Sequence, residues 1–255
     1  MHILLTNDDG IEAIGIQSLR IELERVGRVS VVAPDRERSA SGHGITVHKP
    51  LRVETVSFSG GKVGWAVSGT PADCVKLALE GLLVGQRPDL VVSGINRGAN
   101  LGTDVLYSGT VSAAIEGMMA GIPSVAVSLT GEDHLDFSFA ARFTAKVCAK
   151  LYREGLAKDT LLNINVPDLP ANEIKGVQVT RLGTRRYDNA VHKRKDPRGK
   201  VYYWLAGEVV DVNREPGTDL AAIAEQAISV TPIHFDLTDY RILEEVRSWD
   251  LNRER

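Results

Sequence analysis

Short apolar runs alternate with amphipathic stretches along the first two thirds of the chain. Ile3-Leu4-Leu5 is unbroken by polar residues and stops at Asn7-Asp8-Asp9-Gly10, the pattern of a strand buried on both faces. Ile16, Leu19, Leu23 and Val26 follow at helical spacings of three, four and three. Residues 29–33 predict a second strand ended by Pro34, and 47–56 with 63–67 alternate as a hairpin pair. Thr70-Pro71-Ala72-Asp73 is a helix start: Thr70 caps, Pro71 suits the first helical position and Asp73 sits at the positive end. That helix is predicted to run to about Leu83. Further strands are expected at 89–93, 123–129 and 161–166, and helices at 108–119 and 137–152. The βαβ recurrence implies a mostly parallel sheet covered by helices, a three-layer α/β sandwich.

Beyond Gly183 the pattern changes. Residues 201–205 and 208–212 read as strands around Ala206-Gly207, 219–226 as a short helix, 228–232 as a strand and 237–246 as a last helix. The expected organisation is a core over 1–183 and an extension over 184–255 that is not an independent domain.

Composition narrows the classes. A chain of 255 residues with net charge −3 and no long basic run argues against a nucleic-acid polymer as partner. The one cationic cluster, from Arg181 to Lys200, lies in a turn-rich stretch and reads as a solvated hairpin, with an anionic-substrate site as the sharper alternative. Two cysteines, Cys74 and Cys148, fall in helical patterns without metal spacing, which suits a reducing, cytoplasmic setting. No signal peptide fits the start, and no run reaches the length of a membrane helix.

The chemistry gathers at strand ends. In an open parallel sheet, ligands bind beyond the carboxyl ends of the strands. Asp8 and Asp9 stand at such an end, where adjacent carboxylates are costly without a positive partner; a divalent metal is the simplest one. An Asp-Gly hairpin turn would need a strand next, but a helix follows. Helix capping by Asp9 is compatible with metal binding. Residues 93–112 leave another strand end with Gly94, Gly98, Gly102 and Gly109 among Asn96 and Asn100, then open a helix at Ser108-Gly109-Thr110, whose free N–H groups favour an anion. A third polar loop, 35–46, carries Ser39 and Ser41. Neither a P-loop nor a dinucleotide fingerprint is present.

Taken together, Asn7-Asp8-Asp9-Gly10, Ser39-Ala40-Ser41-Gly42, Ser93-Gly94-Ile95-Asn96-x-Gly98-x-Asn100-x-Gly102 and Tyr107-Ser108-Gly109-Thr110-Val111 resemble the SurE family of survival-protein phosphatases. The resemblance extends to Ser68-Gly69-Thr70-Pro71-Ala72-Asp73, Asn163-x-Asn165-x-Pro167, Asp196-Pro197-Arg198-Gly199 and Val230-Thr231-Pro232, and so spans nearly the whole chain. It implies a Rossmann-like core and one divalent metal per subunit, Mg²⁺ or Mn²⁺, held by Asp8, Asp9, Ser39 and Asn96. It also implies 5′-nucleotidase activity on nucleoside 5′-monophosphates, with 3′-monophosphates and, in some members, short polyphosphate as further substrates. The C-terminal part, with a hairpin and an exchanged segment, would build a homodimer or homotetramer.

The residue chemistry agrees with such a site. Two carboxylates, a hydroxyl and an amide are an all-oxygen set for a hard cation. The expected phosphate cradle is Asn96, Gly98, Gly102, Ser108, Gly109 and Thr110. Asp8 is assigned to orient the attacking water; an aspartyl-phosphate on Asp8 or Asp9 is the second mechanism. His43 is a candidate acid, with a solvated loop histidine as the plainer reading. Asp73, Asp104 and Glu116 could support the site or simply cap and solvate helices. Tyr107, Trp65 and Tyr187 could each be core or base-stacking. A nucleotide-binding regulator and an assembly protein are the readings from other classes.

Overall fold

The computed structural model describes residues 1–131, 135–157, 159–188, 191–205, 207–210, 215–249 and 251. Its first half runs β1 (His2–Thr6), α1 (Ile14–Leu23), β2 (Arg28–Pro34), β3 (Val53–Phe58), β4 (Lys62–Val67), α2 (Pro71–Leu77), β5 (Leu90–Arg97) and α3 (Gly109–Met119). Next come β6 (Ser124–Thr130), α4 (Ser138–Glu154), β7 (Leu161–Pro167) and β8 (Val177–Val179). The remainder is β9 (Arg186–Asp188), β10 (Val191–Lys195), β11 (Val201–Leu205), β12 (Glu208–Val210), α5 (Asp219–Ala224), β13 (Ile228–Ile233) and α6 (Leu243–Ser248).

Nine strands form one sheet in the order β3-β4-β2-β1-β5-β6-β7-β13-β8. Its central pairs, from β4 through β7, are parallel, while β3 and β13 run antiparallel to β4 and β7. The apolar run of β1 is buried on both faces, as its sequence predicts. Ile3 and Leu5 join a core with Ile16 and Leu19 of α1 and Ala141 and Cys148 of α4. Leu4 joins Val75 of α2 and Ala113 of α3 on the other side. Each such fully buried side chain contributes about 1.5–3 kcal/mol.

The chain leaves β1 toward β2 on one side and returns to β5 on the other. The sheet therefore has its switch point between β1 and β5, where Thr6 pairs with Ser93, and a crevice opens beyond such a point.

Several local expectations shift. The first strand of the hairpin pair starts at Val53, and 47–52 is irregular. The helix begun at Thr70 has the full capping box with Asp73, but after Leu77 it widens into a π turn over Ala78–Leu82. β8 carries no signal that the sequence reading used. The runs at 201–205 and 208–210 do not pair with each other: β11 pairs with β10, and β12 with β9. The result is one long hairpin whose tip is at Asp196, whose Oδ1 accepts from the N–H groups of Arg198 and Lys200. Ala206, Asp211 and Val212 lie outside the described residues. The last helix is later and shorter than expected. The extension also re-enters the core, because β13 inserts between β7 and β8.

Candidate active site

The acid pair stands where the switch point puts it. Asp8 is only 4% exposed. Its Oδ2 accepts from the Thr110 N–H at 3.1 Å and its Oδ1 from the Thr110 hydroxyl at 2.5 Å. The anion at the start of α3 is thus the protein's own carboxylate, reached across 102 residues of chain. Gly109 permits the approach: a Cβ there would lie 2.9 Å from Asp8 Cβ and 3.0 Å from its Oδ2. Asp9 Oδ2 accepts from the Arg97 N–H at 3.1 Å, which ties the acid pair to the end of β5.

The 35–46 loop closes the third side. The Arg38 N–H donates to the Asp8 carbonyl at 2.7 Å, and Gly10, at φ +99°, lies so near Arg36 that a Cβ would come within 3.0 Å of its carbonyl carbon. Ser39 follows, its hydroxyl donating to Glu37 at 2.8 Å. Asn96 donates its amide N–H to the Gly98 carbonyl at 2.7 Å. Its side-chain oxygen is the atom suited to a cation.

Two clefts meet here. One, of about 640 Å³, is lined by Asp8, Ser39, Asn96 and Ser108 and continues to Tyr107 and Tyr187. The other, of about 770 Å³, is lined by Asp9, Glu37, Ser39 and Phe137. Ser39 and Arg97 belong to both. The acid pair therefore forms the ridge between the clefts, one carboxylate facing each.

Burial raises the pKa of both acids. For Asp8 desolvation outweighs the opposing hydrogen bonds from Thr110. Asp9 is pushed up to about 6, first by desolvation and then by the charge of Asp8. Glu37, which the sequence reading did not single out, adds to the negative field at both. Such a site fits a divalent cation: it concentrates negative charge, and Ser39 and Asn96 offer further oxygens without more charge. Among the described residues there is no group of three or more His, Cys, Asp or Glu side chains of metal-holding geometry, so neutral oxygens must complete any such shell.

The expected phosphate cradle is only partly available. The Gly98 N–H donates to the Leu129 carbonyl, the Gly102 N–H to Asp219 and the Thr110 N–H to Asp8. Those three amides are already satisfied, so they are not free to hold a phosphate. Gly102, Gly109 and Thr110 are not among the residues lining the cleft; Asn96, Gly98 and Ser108 are. Ser108 Oγ accepts from the Val111 N–H and keeps its own proton to donate.

Two locks fix the loop after β5. Asn100 donates its backbone N–H to Asn165 and its amide to Ser128, while Asn163 and Asn165 both donate to its carbonyl. Asp219, fully buried, accepts from the N–H groups of Gly102, Gly183 and Leu220 at 2.7, 2.8 and 2.9 Å. In the sequence Asp219 stands out only as the start of a short helix. Other candidates sit elsewhere: His43 pairs with Glu116, Asp73 caps α2 and holds the Thr46 N–H, and Trp65 packs on the core. Asp104 accepts from both Arg185 and Tyr187.

A family model described as "Survival protein SurE" matches residues 3–189. A protein of Heliobacterium modesticaldum named 5′-nucleotidase SurE is 61% identical over 98% of this chain and 92% of its own length. One of Moorella thermoacetica with the same name is 59% identical over 98% and 96%. A crystal structure of the SurE protein from Aquifex aeolicus superposes with a TM-score of 0.85 at 44% identity, covering 98% of this chain and 99% of that one.

Proposed function

The chain belongs to the survival protein SurE family, and from that premise we propose that it is a metal-dependent 5′-nucleotidase, hydrolysing nucleoside 5′-monophosphates to nucleoside and phosphate. Relatives about 60% identical over nearly the full length carry that name. The observation that carries the chemistry is the ridge of Asp8 and Asp9 at the switch point, with Ser39 and Asn96 beside it. The family resemblance adds nucleoside 3′-monophosphates and short polyphosphate as further substrates.

Asp8, Asp9, Ser39 and Asn96 would hold one Mg²⁺ or Mn²⁺ per subunit. When bound, the ion supplies charge neutralisation and Lewis-acid activation of phosphate and water. Thr110 donates to both oxygens of Asp8, each of which keeps a lone pair for the cation; Asp9, with fewer protein bonds, takes the water in place of Asp8. Only Oδ2 of Asp9 is bonded among the described residues, which leaves Oδ1 to orient water for attack at phosphorus. Ser108 and Asn96 hold the phosphoryl oxygens from the same cleft. As the water oxygen bonds to phosphorus, the bond to the nucleoside oxygen breaks and that oxygen leaves with a proton.

Phosphate release from adenosine 5′-monophosphate, with and without Mn²⁺, tests this reading. We expect turnover that EDTA abolishes and Mn²⁺ restores; binding without hydrolysis in the metal-loaded protein would favour the regulator reading instead.

The C-terminal extension supports a homodimer or homotetramer. Every residue of β10 and β11 is exposed, including Tyr202, Tyr203 and Trp204, and α6 has no buried residue. Apolar surface of this extent marks an interaction site. Light scattering is expected to give a multiple of 27.7 kDa; a monomer at micromolar concentration overturns the assignment. No described helix is long and apolar enough to cross a membrane. The two buried free thiols suit the cytoplasm.

A further inference from the structure

We propose that Tyr187 is the stacking wall of a nucleoside subsite, fixed in place by Asp104 and Arg185, and that it binds the substrate base by stacking on its ring face. The inference rests on the nucleotidase reading and names where the leaving nucleoside lies.

The cleft that holds Asp8, Ser39, Asn96 and Ser108 is also lined by Tyr107, Tyr187 and Leu205, with Asp104 among them. Its volume of about 640 Å³ suits a ligand of nucleotide size. A phosphate beside the acid ridge directs the rest of the substrate along the cleft, toward the tyrosines.

Tyr187 is held like a working part. Its hydroxyl donates to Asp104 Oδ2, which also accepts from Arg185 at 2.9 Å. That ion pair is mostly buried, with side chains 17% and 15% exposed. Thr103 and the Arg185 backbone exchange two hydrogen bonds of 2.9 and 3.2 Å, fastening the start of β9 to the loop before α3. Gly102 lets the segments touch: a Cβ there would lie 2.8 Å from the Gly183 carbonyl oxygen. The ring is thus pinned at its hydroxyl while the residue stays 44% exposed. Among the described residues it stacks on no other ring.

A pinned aromatic face in a cleft is a stacking platform, and stacking tolerates any base. Arg185 Nη1 and the Tyr187 hydroxyl both donate to Asp104. The contact is therefore expected to favour nucleosides over bare sugars, and larger purines over pyrimidines.

The test compares kcat/KM for adenosine 5′-monophosphate and ribose 5-phosphate in the full-length, Mn²⁺-loaded protein. We expect the wild type to prefer the nucleotide by about tenfold or more, since a stacked base is worth roughly fivefold to a hundredfold. Tyr187→Ala should lower that preference about tenfold, through KM for the nucleotide. Tyr187→Phe, which keeps the ring but loses the hydroxyl bond to Asp104, should fall between the wild type and the alanine variant. A parallel loss on both substrates, or an unchanged preference, overturns the subsite. Should the alanine variant not fold, inhibition of the wild type decides: adenosine binding no tighter than ribose overturns it as well. Failure of the nucleotidase reading is distinct, because the wild type would then release no phosphate from either substrate.

Discussion

Replacing Asp9 with alanine is expected to abolish metal-dependent phosphate release, by a factor of about a thousand or more, and to leave the fold intact. The side chain touches the Arg97 N–H and no core residue is built on it. Its carboxylate also works against the fold when no cation is bound. A pKa raised from 3.8 to about 6 by burial and by Asp8 means that the folded form holds the proton more tightly than the unfolded chain. Stability from this group is therefore complete below pH 3.8 and is lost as the pH rises through 6, by at most about 3 kcal/mol. Metal-free protein should melt at lower temperature at pH 7 than at pH 5. Asp9→Asn should flatten that dependence and raise the neutral-pH melting temperature. Near-normal turnover of the alanine variant at saturating Mn²⁺ would refute the metal assignment, and a pH-independent melting temperature would refute the electrostatic one.

Gly94→Ala should destabilise the protein by about 4 kcal/mol or more, enough to leave little folded material. Gly94 has φ +136°, and a Cβ there would lie 2.3 Å from the Val127 carbonyl oxygen and 2.7 Å from Val127 Cγ1. Both obstacles belong to the neighbouring strand β6 in mid-sheet, so nothing can swing aside. At this place β5 slips register against β6, between Ser93 and Asn96, and the slip sets where Asn96 emerges. Gly98→Ala is the control: φ is +100°, but nothing lies within 4 Å of its Cβ, so only the backbone penalty of about 1–2 kcal/mol applies. Equal urea midpoints for the two variants would contradict this account.

The sequence made local features legible and long-range ones not. The apolar run into Asp8-Asp9, the Thr70 cap and the Ser108 helix start are written within a few neighbouring residues, and the structure has each of them. The loops around Ser39 and Asn96 could be expected at the same rim because each leaves a strand end. What periodicity could not carry is who satisfies whom. A free helix N-terminus at Ser108-Gly109-Thr110 looks like a phosphate cradle until Asp8 is found bonded to Thr110 across 102 positions. Asp219 looks like a helix start until its oxygens are found on Gly102, 117 positions earlier, and on Gly183. The pairing of β11 with β10 rather than β12 likewise depends on a turn at Asp196, outside the windows that define each strand.

The insertion of β13 between β7 and β8 has a consequence for synthesis. A chain emerging from the ribosome presents β1 to β7 in order, but the edge of β7 stays unpaired until residue 233 is free. The backbone of Gly102 waits equally for Asp219. One of the two locks on the loop beside the Asp8-Asp9 ridge thus comes from the last fifth of the chain to be made. A nascent chain that still lacks Asp219 and β13 would therefore carry Asp8, Asp9, Ser39 and Asn96 while one of the two locks on this loop is missing.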